Sequence, residues 1–113
     1  MLSFFNLEER FAGNVNTSFL IYAKGRPGMI KGVALDEANS SEIMMPITSL
    51  TRPMALDFDA RTNFIYYADI QSFVIERQKV DGSVRDEVTT GLYNVEGLAV
   101  DWMGRNLYWT DER

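Results

Sequence analysis

The chain has 113 residues and no cysteine or histidine, and sixteen acidic against eleven basic side chains leave a net charge of −5. The missing thiols exclude disulfides, thiolate metal sites and a cysteine nucleophile, and basic residues that form no block argue against nucleic acid as a partner. Hydrophobic content of 46% and aromatic content of 12% exclude disorder, while no apolar run approaches the roughly 18 residues that would span a bilayer, so no direct membrane contact is expected.

Residues 1–17 show no sustained period and end among Gly13, Asn14 and Asn16. They read as a loose or locally helical leader outside the repeat, with no basic segment ahead of an apolar one and hence no signal peptide. From Ser18 the pattern changes to short β-type runs broken by turn residues. Phe19 to Ala23 is a strand covered on both faces, Lys24-Gly25-Arg26-Pro27-Gly28 a turn, and Met29 to Leu35 a second strand ending at Asp36. A third, around Ile43 to Ile47, contains Pro46, which suits an outer edge because proline has no N–H for a ladder. Four further strands follow: Pro53 to Asp57 innermost, Phe64 to Asp69, Phe73 to Val80, and Asp86 to Thr90 outermost, with a turn at Asp81-Gly82. The last runs are Glu96 to Trp102 and Asn106 to Asp111, around a turn at Met103-Gly104-Arg105.

These runs repeat. Tyr108-Trp109-Thr110-Asp111 has a degenerate copy in Tyr66-Tyr67-Ala68-Asp69, offset by 108 − 66 = 42. Ala99-Val100-Asp101 matches Ala55-Leu56-Asp57 at 101 − 57 = 44, which places a two-residue difference in the intervening turn. Asp36 and Asp81 end equivalent third strands. A period of about 40–45 residues is that of a four-stranded propeller blade. The expected organisation is a leader over 1–17, a partial blade over 18–50, a complete blade over 51–93 and the start of another over 94–113. A six-bladed ring needs roughly 250 residues, so the chain is expected to be a piece of one.

Leu98-Ala99-Val100-Asp101-Trp102 followed by Asn106-Leu107-Tyr108-Trp109-Thr110-Asp111 resembles the YWTD propeller repeat of the low-density lipoprotein receptor family. Phe19-Leu20-Ile21-Tyr22 ahead of Gly25-Arg26-Pro27-Gly28 is similar to the way a propeller begins in its giant endocytic members. The resemblance implies an all-β chain, a partial six-bladed propeller of about two to two and a half blades. It implies binding and scaffolding without catalysis, in the extracellular part of a single-pass endocytic receptor. Calcium is expected only in neighbouring modules of such a parent, and the partners are protein ligands or neighbouring receptor modules. A Wnt co-receptor or nidogen-like propeller, a six-bladed hydrolase and a non-functional truncated product are the alternatives. Acid-triggered ligand release, which the family attributes to its propeller, cannot rest here on histidine titration.

In the motif, Tyr108 and Trp109, like Tyr66 and Tyr67, should point to opposite faces. Thr110 and Asp111 should hold backbone N–H groups of the adjacent blade, while Tyr67 and Ala68 depart from the motif's Trp and Thr. Asp57 and Asp101 are expected to do similar work in turns. Asp57, Asp59, Asp69, Asp101 and Asp111 could be read as metal ligands or a glycosidase pair. Their recurrence by repeat favours blade geometry instead, since a catalytic set draws dissimilar residues into one centre. Gly25, Gly28 and Gly32 precede no helical pattern and so make no phosphate loop, and Gly-x-Ser-x-Gly is absent. Exposed turn residues Arg26, Arg52, Arg61, Asn63, Glu96 and Arg105 are the candidates for a protein-binding face. Asn16 and Asn39 begin N-glycosylation sequons that matter in a secreted parent.

Overall fold

The computed structural model describes residues 2–6, 18–35 and 41–112, with backbone alone for 2–6. Its strands are β1 (Leu2–Asn6), β2 (Ser18–Gly25), β3 (Gly28–Ala34), β4 (Ile47–Leu50), β5 (Pro53–Asp59), β6 (Phe64–Asp69), β7 (Val74–Lys79), β8 (Arg85–Thr90), β9 (Val95–Asp101) and β10 (Asn106–Asp111). Neighbours in the chain are neighbours in space: the sheets run β1-β2-β3-β4, β5-β6-β7-β8 and β9-β10, all antiparallel. Short connections force this meander, since an antiparallel pair needs only a tight turn whereas a parallel one needs a long crossover. At Gly28 a Cβ would collide with the Leu50 carbonyl, so glycine there lets β4 close against β3. Gly82, at φ +80°, supplies the left-handed residue of the β7–β8 turn.

Strand parity sends side chains alternately to the two faces of each sheet. Phe19, Ile21, Ile30 and Ile47 from the first sheet meet Leu56, Phe58, Ile65 and Tyr67 from the second in one core, where Phe19 and Phe58 pack edge to face at 5.4 Å between ring centroids. On the other face of the second sheet, Ala55, Ala68 and Ile75 pack with Leu92 and Val95, against which Leu98 and Leu107 rest. β5 touches β9 on one side and β1 and β2 on the other.

Three expectations change. Residues 2–6 of the leader form a strand, β1, paired from Leu2↔Tyr22 to Asn6↔Ser18, so the first sheet has four strands instead of three. Five residues with no pattern of their own become a strand because β2 offers a free edge. The third strand lies at Ile47–Leu50 rather than Ile43–Ile47. Pro46 stands just before it, in a connector held by the Val33↔Glu42 bridge and by the Met45 N–H on the Val80 carbonyl at 2.8 Å.

The repeat also keeps a single offset. Leu56 pairs with Tyr67 and Leu98 with Trp109; Asp59 pairs with Phe64 and Asp101 with Asn106. Every landmark shared by the second and third sheets therefore moves by 42, the two turns have equal length, and each carries a left-handed residue at the same place, Asn63 (φ 62°) and Arg105 (φ 61°). The counterpart of Asp101 is Asp59, not Asp57, and that of Asp57 is Ala99. Residues 7–17 and 36–40, with Asp36 and the sequon residues Asn16 and Asn39, lie outside the described residues.

Candidate functional site

The antiparallel meander gives the sheets two rims. The upper rim holds the starts of β5 and β9, the β4–β5 and β8–β9 connectors, and the β2–β3 and β6–β7 turns. The lower rim holds the β5–β6, β7–β8 and β9–β10 turns. The six candidate face residues divide between them. Arg26, Arg52 and Glu96 lie at the upper rim, and Arg61, Asn63 and Arg105 at the lower, so they do not make one surface.

Asp69 organises the upper rim. Its carboxylate accepts the Arg52 amide at 2.6 Å, the Thr51 amide at 2.8 Å, the Thr51 hydroxyl at 2.7 Å and the Ser72 hydroxyl at 3.2 Å. Burial alone would push the carboxyl up; these amides and hydroxyls hold it below the usual carboxylate range. Asp111 repeats the arrangement, accepting the Tyr93 and Asn94 amides at 2.9 and 3.0 Å. The motif carboxylate thus clamps the connector that delivers the chain to its own sheet, not the backbone of an adjacent sheet. Thr110 likewise turns inward, its Oγ1 accepting the Gly97 amide at 3.1 Å. Beside Ala68, the position of Gly97 is taken by Ala55, so the volume lost on one strand is restored on its partner.

The clamped connectors and turns fix a group of exposed side chains. Arg52 accepts the Ile70 amide through its carbonyl at 3.0 Å, Thr51 and Ser72 share a hydroxyl contact at 3.0 Å, and the Leu92 amide donates to the Phe73 carbonyl at 3.3 Å. Phe73 and Tyr93 stand 51% and 62% exposed among them. Phe73 holds φ at 60°, a conformation that bulky side chains avoid. Phe73, expected to open a strand, lies in the turn ahead of β7, and Tyr93 carried no expectation; Gln71-Ser72 before the one and Gly91 and Asn94 around the other are the turn signals in the sequence.

At the lower rim a latch joins the second and third sheets. Asp59, 1% exposed, accepts both terminal nitrogens of Arg105 at 2.5 and 3.0 Å, together with the Thr62 hydroxyl and the Arg61 amide. Burial works against its charge, but Arg105 and these donors hold the carboxyl down at about 2. Asp57 completes the latch, with Oδ2 accepting the Val100 amide of β9 at 2.8 Å. Asp57 therefore joins sheets where a turn role was expected, and Asp101 serves its turn by accepting the Gly104 amide. The five aspartates do not converge on one point. Among the described residues no group of three or more His, Cys, Asp or Glu is placed to hold a metal ion.

The motif aromatics divide as parity requires. Tyr67 is buried against the first sheet with its hydroxyl on Glu76 at 3.0 Å, while Tyr66 turns to the third-sheet side, where its hydroxyl accepts from Arg77 at 3.4 Å. Burial, then the Glu76 carboxylate, raises the Tyr67 phenol. Tyr108 and Trp109 are 59% and 40% exposed on the third sheet.

Four-stranded antiparallel meanders stacked face to face, with their first strands in contact, are the blades of a β-propeller. Over 70 residues the chain is 45% identical to human low-density lipoprotein receptor-related protein 5, a match covering 61% of this chain and 4% of that protein. A chain in the crystal structure of a nidogen/laminin complex superposes with a TM-score of 0.71 at 29% identity, covering 82% of this chain and 35% of that one. No protein-family model matches. With its repeated motif, the chain is a partial YWTD β-propeller, similar to those of the low-density lipoprotein receptor-related proteins, and it spans a small part of the proteins it matches. Among the described residues no helix is long and apolar enough to cross a membrane.

Proposed function

We propose that the chain is part of an extracellular propeller that holds protein partners on its upper rim, within a single-pass receptor that carries them into the cell. The carrying observation is the clamping of both connectors by Asp69 and Asp111 beneath exposed Phe73, Tyr93 and Arg52. A rim fixed in this way loses little conformational freedom on binding, and aromatic and arginine side chains are the usual anchors of protein interfaces. The receptor named in the sequence match and the protein complex named in the structural match support a binding role without catalysis. A matrix-type, nidogen-like role is the second reading, favoured by the structural match. The test is selection of a random-sequence peptide library against the 113-residue chain, with amide chemical shifts mapping the bound peptides. Shifts gathered on residues 51–52, 72–73 and 92–96 support the reading, and a library that yields no upper-rim binder removes it.

A further inference from the structure

We infer that the partner segment of the upper rim is an acidic peptide with an aromatic or aliphatic anchor, an inference that rests on the reading of that rim as the binding surface. The chain carries a net charge of −5, yet the rim over its first two sheets is basic. Lys24 and Arg26 in the β2–β3 hairpin and Arg52 in the β4–β5 connector are all exposed. Among the described residues none of the three belongs to an ion pair; the four that form involve Lys31, Arg77, Arg85 and Arg105. The pairing of Gly28 with Leu50 brings the hairpin beside the connector. The carboxylate beneath them, Asp69, is 3% exposed and bonded to amides and hydroxyls rather than to a cation, so one buried acid stands against three exposed cations and the rim there stays net positive.

Next to these cations Phe73 and Tyr93 offer apolar area. Phe73 is the more telling of the two, because a phenyl group in the left-handed region is held there against its preference and still stands half exposed. Across the rim, over the third sheet, Glu96 and Glu112 are exposed. An acidic segment is therefore attracted to one side and repelled from the other, which fixes where it lies. The aromatic pair favours a peptide over a sulfated glycan, since a polyanion alone would use the cations and leave both rings in water.

The test is fluorescence anisotropy of the 113-residue chain with three labelled probes: a ten-residue Glu/Asp peptide with a central Phe, the same peptide with Lys for each acid, and a heparin octasaccharide. The acidic peptide is expected to bind at least tenfold tighter than its lysine counterpart and to weaken as salt rises. Arg26→Glu with Arg52→Glu should erase that preference. Phe73→Gly should weaken binding about fivefold or more while the unfolding midpoint holds or rises, because glycine relieves the backbone. A merely structural Phe73 would not separate the two readouts. Equal or tighter binding of the lysine peptide, binding of heparin without the acidic peptide, or indifference to the arginine reversals overturns the inference. If library selection still places neutral or basic peptides on the upper rim, the proposed function stands and only the acidic partner falls.

Discussion

The two faces of the second sheet solve the same packing problem by different chemistry. Towards the first sheet it presents Leu56, Phe58, Ile65 and Tyr67, a continuous layer of large side chains, each contributing roughly 1.5–3 kcal/mol through burial. Towards the third it presents Ala55, Ala68 and Ile75, with Tyr66 beside them, and the join is completed by Asp57 on Val100 and Asp59 on Arg105. A repeat motif therefore fixes where side chains go without fixing what holds a given pair of sheets. Where two small residues leave room, directional bonds from carboxylates add to the apolar contact, and through Asp59 that join becomes sensitive to acid.

The largest break in this contrast is Tyr67→Ala. Removing a fully buried aromatic should cost about 3–5 kcal/mol in denaturant unfolding, the range for such cavities. Asp59→Ala should cost less, about 2 kcal/mol, because Arg105 remains partly exposed where a wholly buried pair would lose 3–5. Acid sharpens the same point. The Asp59 carboxyl is depressed to about 2 in the folded chain, so its contribution is complete above the ordinary carboxylate value near 4 and is lost as pH falls from there through 2. Titrated unfolding should show about 2 kcal/mol of extra loss in that window, absent in Asp59→Asn. Ala68→Thr, which restores the motif residue, should destabilise by about 1–3 kcal/mol, since Ala55 already fills the space; adding Ala55→Gly should recover part of it. The smallest effect belongs to Asp111→Asn, which should speed hydrogen exchange at Tyr93 and Asn94 with little change in global stability.

Much of the second and third sheets was legible in the sequence. β6 and β10 fall where the aromatic motif placed them, because a run with large residues on both faces and an aspartate stop has few other readings. The offset was misread by two because Ala-aliphatic-Asp is a three-residue match, whereas strand pairing compares every residue of two turns at once. β1 was illegible because its partners lie twelve to twenty positions along the chain, on the free edge of β2, and no local period announces such a strand. The binding candidates were chosen as turn residues, and turns alternate between rims. Composition alone could not assign them to one end, nor reveal that Arg105 was already committed to Asp59.

The clamps at Asp69 and Asp111 also define how this architecture can be cut and rejoined. Each carboxylate sits in β6 or β10 and grips the connector ahead of β5 or β9, so the connector travels with the sheet it leads into. A blade transplanted with its boundaries drawn just before Thr51 and just before Tyr93 keeps every one of these bonds inside the exchanged segment. Boundaries drawn two residues later would separate each aspartate from its amides and leave a buried acid facing a stranger's backbone.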